Sequence, residues 1–166
     1  MTKNPGEILK ATPFFADVLN DDELNMLATR ARFISYAAGA TPIEEDGPGH
    51  SMFVVVSGRL RVTVAGEAEP VATLGPGDIV GEMSLLTGAR RSATVTALEP
   101  VEAIEINKQA LAHVLMQSPT LVARFVEMLL RRQRELDRIA GGAWGMLRLG
   151  KAELAHMIGA FFGKLM

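Results

Sequence analysis

The sequence predicts a mostly β fold with flanking helices, in which an eight-stranded, jelly-roll-like β-roll follows an N-terminal helical segment and precedes C-terminal helices. Two observations support this prediction. Short apolar runs separated by glycine turns recur at regular intervals from residue 33 to residue 106. Stretches with apolar residues at helical spacing lie on either side of these runs, at residues 1–32 and 107–140.

The composition is that of an ordinary globular chain, with 48% apolar and 22% charged residues among 166. A net charge of −2 argues against a broad basic surface for nucleic acid, and the lack of cysteine excludes disulfides and thiolate metal sites. We find no signal-peptide pattern and no apolar run long enough to cross a bilayer. The expected location is therefore the cytoplasm, or the cytoplasmic face of a membrane if the chain belongs to a channel.

The N-terminal segment, Pro5 to Arg32, is predicted to hold short helices. Asn20 precedes Glu23 by three residues, which is the spacing of a capping box at a helix start. Apolar residues after Glu23 then fall on one helical face. The run from Thr12 to Phe15 is predicted to be a hinge between two helices, with its phenylalanines available to pack on the sheet.

The eight strands are predicted from short apolar runs that end at turns. From Leu60 to Val64 apolar and polar residues alternate, which gives one buried and one solvated face. The complete set of predicted strands covers residues 33–37, 41–44, 52–56, 60–64, 71–74, 79–80, 93–97 and 101–106.

Two helices are predicted after the strands. Asn107 can cap a short one, and Ser118-Pro119 is a strong start signal for a long one that reaches about Ala140, where glycines end it. The tail, residues 143–166, has an apolar stripe at helical spacing and is predicted to be an amphipathic helix. It could pack back on the domain, form a homo-oligomer together with the other C-terminal helices, or lie on a membrane surface.

The stretch from Gly75 to Val95 holds the candidate site. Gly81 follows an apolar strand and starts a helix, whose unpaired N–H groups and positive dipole end favour a phosphate. Arg91 supplies a planar set of donors for phosphate oxygens. Glu82, an acceptor when ionised, suits a sugar hydroxyl instead. These three features together indicate a ribose phosphate.

Residues 81–95, GEMSLLTGARRSATV, resemble the phosphate-binding cassette of cyclic nucleotide-binding domains. That motif has Gly-Glu, three or four apolar or small residues, a turn, and then R-[ST]-A-[TS]-V. The order of elements from Ile8 to Arg138 also resembles the family's whole domain. One small departure is Val80, where the family often has an aromatic residue. The resemblance implies a sensor domain for cyclic AMP or cyclic GMP, with no metal.

The resemblance also implies roles for single residues of the cassette. Glu82 would accept the ribose 2′-hydroxyl, and Arg91 would pair with the cyclic phosphate. Ser92 would give a hydroxyl to the phosphate, and serine rather than threonine there favours cyclic AMP over cyclic GMP. The remaining predicted binding residues line the phosphate through their backbone, and they are Gly81, Met83, Ser84 and Ala93.

In the family, a side chain of the last long helix covers the base. By its spacing from Arg91 this side chain is predicted to be Arg132, with Arg131 and Arg134 as alternatives. Because the ligand would then contact both the roll and the long helix, we expect this helix to rearrange on binding. The expected output is the regulation of a channel, a transporter or another effector protein.

The chain could be a sensor domain of a larger protein or equally a small stand-alone binder. A degenerate interaction module that no longer depends on nucleotide is disfavoured by the intact Glu82 and Arg91. A metal-dependent barrel enzyme is disfavoured because the three histidines are scattered and no nucleophile–base pair is evident, so we expect no enzyme. The tail after Gly142 is too short for a helix-turn-helix domain, so we expect no binding to DNA.

Overall fold

The structure, a computed structural model, describes residues 4–118 and 120–140. It has the predicted mostly β architecture with helices before, within and after the strands. The elements in chain order are α1 (Pro5–Lys10), α2 (Pro13–Ala16), α3 (Asp21–Ala28), β1 (Arg32–Tyr36), β2 (Ser51–Ser57), β3 (Leu60–Thr63), β4 (Ala72–Leu74), β5 (Ile79–Val80), α4 (Glu82–Thr87), β6 (Thr94–Ala97), β7 (Val101–Asn107), α5 (Lys108–Gln117) and α6 (Leu121–Ala140).

The strands form two antiparallel sheets. One has the order β1-β7-β2-β5 and the other has the order β4-β3-β6. Side chains alternate along β2, so Met52 and Val54 belong to a core shared with the helices, while Phe53 and Val55 belong to a core between the sheets. Both faces of β2 are therefore buried, which explains why its sequence is a continuous apolar run.

The predicted strand at residues 41–44 is reduced to a single bridge between Ile43 and Val95. Pro42 has no N–H to donate to a ladder, so this segment cannot pair continuously along β6. The other predicted strands are present with ends shifted by a few residues. The part of the chain that the structure describes therefore has seven strands and one bridge.

Helix α3 begins at the predicted signal. Asn20 Oδ1 accepts from Glu23 N at 2.8 Å and Glu23 Oε1 accepts from Asn20 N at 2.9 Å, which confirms the capping box of α3. The predicted hinge is itself a short helix, α2, because proline at its first position is pre-set for helical geometry. The ring of Phe14 lies 6.0 Å from that of Phe125 in α6, so α2 also packs on a helix and not only on the sheet.

The first turns of α6 are attached to the N-terminal helices. Both terminal nitrogens of Arg124 donate to the carboxylate of Glu23 at 3.3 Å, and the Arg124 side chain also donates to Val18 O. Asn107 caps α5 as predicted, by accepting from Ala110 N at 2.8 Å. This leaves the second half of α6 to be positioned by other contacts.

Several predictions for the end of the chain lie outside the described residues. These are the proline at the start of the long helix, Pro119, the stop at Gly141-Gly142 and the helix over 143–166. None of the helices in the described ranges is both long enough and apolar enough to span a membrane.

Candidate functional site

Helix α4 leaves β5 through Gly81, which adopts φ 89° at the N-cap. The left-handed backbone conformation requires glycine here, and a Cβ would lie 2.6 Å from Arg91 Nη1 and so would displace the guanidinium. The sequence thus brings the start of α4 directly against the arginine that was predicted to bind phosphate.

Arg91 is buried, with 6% of its surface exposed. Its Nη1 donates to Gly81 O at 3.0 Å and its Nη2 donates to Ser51 O at 2.6 Å. Burial lowers the pKa of Arg91, and the nearby Glu82 carboxylate opposes that shift. No described carboxylate forms a salt bridge with this guanidinium. A buried cation held by backbone carbonyls, with donors to spare, is a suitable partner for an anion.

The loop of residues 46–51, which ends at the first residue of β2, lies beside Arg91 and holds its backbone. Arg91 N donates to Gly47 O at 2.9 Å, and Asp46 N donates to Arg91 O at 2.8 Å. The neighbouring Arg90 is exposed, and its Nη1 donates to Asp46 O at 2.7 Å. Arg90 is therefore bonded at the surface and does not share the buried position of Arg91.

Glu82 is 3% exposed and forms an ion pair with Arg132 of α6, whose Nε donates to Glu82 Oε1 at 2.8 Å. Arg132 Nη2 donates to Ile79 O at 3.0 Å, and Nη1 lies 3.3 Å from Glu135 Oε1. Burial by itself lowers the pKa of Arg132, but Glu82 and Glu135 raise it, and the net shift is upward. This pair joins the cassette to the second half of α6.

The predicted cassette residues line one small cleft of about 30 Å³. The guanidinium of Arg91 and the carboxylate of Glu82 thus lie at a cleft with an apolar wall formed by Ile43, Val80 and Val95. The predicted site residues that line the cleft are Gly81, Glu82, Met83, Ser84, Arg91, Ser92 and Ala93.

Arg132 is the predicted site residue that does not line this cleft. It contacts the far side of Glu82 and lines a second cavity, between α2, the turn before β5 and α6. Arg131 lines the same second cavity and is exposed. That Arg132 covers a base therefore stays a prediction, whereas its bond to Glu82 is a contact that sequence reasoning did not find.

The family model of the cyclic nucleotide-binding domain matches residues 33–118. The cyclic AMP receptor protein of Thermus thermophilus is 28% identical over 132 residues, which cover 78% of this chain. The regulatory subunit of the cAMP-dependent protein kinase of Yarrowia lipolytica is 36% identical over 107 residues, or 64% of this chain. These matches span only 61% and 28% of the length of the two relatives.

A solved structure shows the same fold. The crystal structure of a cyclic nucleotide-binding domain from Methylobacillus flagellatus superposes with a TM-score of 0.66. The match covers 86% of this chain and 84% of the other, at 22% sequence identity.

Proposed function

Because the chain belongs to the cyclic nucleotide-binding domain family, we propose that it is a sensor domain that binds a cyclic nucleotide in the cleft beside α4, with cyclic AMP preferred over cyclic GMP. One observation supports this most directly. Arg91 is a buried cation whose hydrogen-bond partners are backbone carbonyls, at a cleft that also holds the first-turn residues of α4. A cyclic phosphate in this cleft would supply the missing negative charge.

Glu82 can bind the ribose without giving up Arg132. An ionised carboxylate has two oxygens and about four acceptor sites, and Arg132 Nε is bonded to Oε1. The ribose 2′-hydroxyl would donate to a remaining acceptor site. The purine would then lie along the apolar wall of Ile43, Val80 and Val95.

The preference for cyclic AMP is expected to be modest. It is supported by Ser92 and by the relatives in Thermus thermophilus and Yarrowia lipolytica, whose names refer to cyclic AMP. In titration calorimetry we expect cyclic AMP to bind more tightly by about 1 kcal/mol, which is roughly fivefold in Kd. Linear 5′-AMP is the matched control, because it has the same base but lacks the ring phosphate. Tighter binding of cyclic GMP would contradict the preference, and binding of neither cyclic nucleotide to the folded chain would contradict the function.

Ligand binding is proposed to act on α6 through the Glu82–Arg132 pair. A ligand that orders the cassette should favour the state in which Arg132 stays bonded to Glu82. Hydrogen exchange should therefore slow in residues 129–140 when cyclic AMP is added. Residues 121–128 should change less, because Arg124 already holds that part of α6 to Glu23. Identical exchange throughout Leu121–Ala140 with and without ligand would refute this coupling.

We propose that the output partner is an effector protein, such as a channel or transporter, and that the chain works in the cytoplasm as a binding module, neither an enzyme nor a DNA-binding protein. Among its relatives are global transcriptional regulators of Mycobacterium tuberculosis, of which the chain spans 59%. Whether this chain binds DNA is tested by the fluorescence anisotropy of labelled duplex DNA mixed with the protein. We expect the anisotropy not to change when cyclic AMP is added.

A further inference from the structure

Gly49, in the loop of residues 46–51, approaches α4 more closely than any side chain would allow. A Cβ built on Gly49 would lie 2.2 Å from Ser84 Cβ and 3.1 Å from the Ser84 carbonyl carbon. Gly49 is not among the glycines with positive φ, so its backbone conformation is open to any residue. Lack of space, and not backbone geometry, therefore excludes a side chain here.

The same loop also holds Arg91. Gly47 O accepts from Arg91 N at 2.9 Å, and Ser51 O accepts from Arg91 Nη2 at 2.6 Å. One short segment thus touches both parts of the proposed phosphate grip, the first turn of α4 at Ser84 and the guanidinium of Arg91. The distance between these two parts depends on how closely the loop lies against α4.

We propose that Gly49 is a positioning residue for the phosphate. Because it has no side chain, the loop can lie close enough to α4 for the α4 amides and Arg91 to contact the same phosphate. This inference rests on the proposed nucleotide binding. A methyl group on Gly49 has to move either the loop or α4, because Ser84 is buried and its backbone carbon atoms lie directly behind its Cβ. Binding sites tolerate displacements of only about 0.5 Å in their donors.

The first test is the affinity of Gly49→Ala for cyclic AMP, measured by calorimetry on the full chain. We expect a loss of roughly ten- to a hundredfold. Gly75→Ala is the matched control, because a Cβ on Gly75 meets nothing within 4 Å and its φ is not positive. The control should bind like the wild type.

The second test is rescue. Ser84→Gly removes the Cβ that the new methyl group would strike, so Gly49→Ala/Ser84→Gly should recover most of the affinity relative to Ser84→Gly alone. Ser84→Ala keeps that Cβ, so Gly49→Ala/Ser84→Ala should not recover relative to Ser84→Ala. If Gly49→Ala does not fold, adding Ser84→Gly should restore both folding and binding. Adding Ser84→Ala should restore neither.

A third measurement separates positioning from mere stability. The Rp and Sp phosphorothioates of cyclic AMP replace different exocyclic oxygens of the phosphate, so their affinity ratio reports which donors contact which oxygen. We expect the ratio to change in Gly49→Ala and to return in Gly49→Ala/Ser84→Gly. Three results would overturn the role of Gly49 while leaving nucleotide binding intact. They are wild-type affinity in Gly49→Ala, an unchanged ratio of the Rp and Sp affinities, and no rescue by Ser84→Gly. A wild-type chain that binds no cyclic nucleotide would overturn both proposals.

Discussion

Replacement of Arg91 by alanine should weaken the binding of cyclic AMP by roughly 2–5 kcal/mol, which is about thirtyfold to several thousandfold in Kd. The guanidinium is buried at the cleft, with its charge opposed by no bonded carboxylate among the described residues. Without it, the phosphate would enter a partly buried site with only backbone amides and a hydroxyl as partners. Titration calorimetry against cyclic AMP measures the loss.

Arg90→Ala is the matched control for this prediction. Arg90 is adjacent and equally charged, but it is exposed and bonded to a loop carbonyl. Its loss should change the affinity by less than about threefold, which is under 1 kcal/mol. Arg91→Lys keeps the charge but loses the planar fork, so it should bind more tightly than Arg91→Ala and less tightly than the wild type. Equal affinities of Arg91→Ala and the wild type would exclude Arg91 as the phosphate ligand.

Replacement of Glu82 by glutamine should lower the free energy of unfolding by about 3–5 kcal/mol without any ligand present. The side chains of Glu82 and Arg132 are only 4% and 13% exposed, so the neutral amide would leave the Arg132 charge buried and poorly compensated. Removing both charges should lower the free energy of unfolding by a smaller amount, so we expect Glu82→Gln/Arg132→Met to be more stable than Glu82→Gln. Urea unfolding monitored by circular dichroism gives these values.

An exposed ion pair supplies the comparison for Glu82. Glu99 lies 3.3 Å from Arg59, with the two side chains 42% and 61% exposed. Glu99→Gln should therefore lower the free energy of unfolding by no more than about 1 kcal/mol, because water screens this pair. If Glu82→Gln and Glu99→Gln cost the same, the Glu82–Arg132 pair does not contribute to stability in the way its burial implies.

Predictions that depend on neighbouring residues were confirmed. The capping box at Asn20 and the cap at Asn107 are local signals, because a side chain there satisfies N–H groups only three residues away. The strands were found for a similar reason, since glycine turns and apolar runs determine where a strand can lie. There are two exceptions: the predicted hinge at Thr12–Phe15, where helix α2 forms, and the segment at residues 41–44, where Pro42 limits the pairing to one bridge.

Contacts between distant residues could not be predicted in the same way. Arg132 was assigned to the base by its distance along the chain from Arg91, but its bond to Glu82 depends on where α6 lies against the roll. The contact of Gly49 with Ser84 left only a weak signal, a glycine in a turn where the backbone conformation does not require one. In both cases the role of one residue could be recognised only after the position of its contact partner in the fold was known.

The cassette is also one of the four connections between the two sheets in the described residues. It begins after β5, which pairs with β2 in the first sheet, and it leads into β6, which pairs with β3 in the second. A nucleotide bound at the proposed site would hold this crossing segment in its native conformation. At a hundred times its Kd such a ligand adds about 2.7 kcal/mol to the stability of the native state. On the proposed function, nucleotide binding and folding are therefore linked, because the sheets of an occupied chain should separate, and so become open to proteolysis, less often.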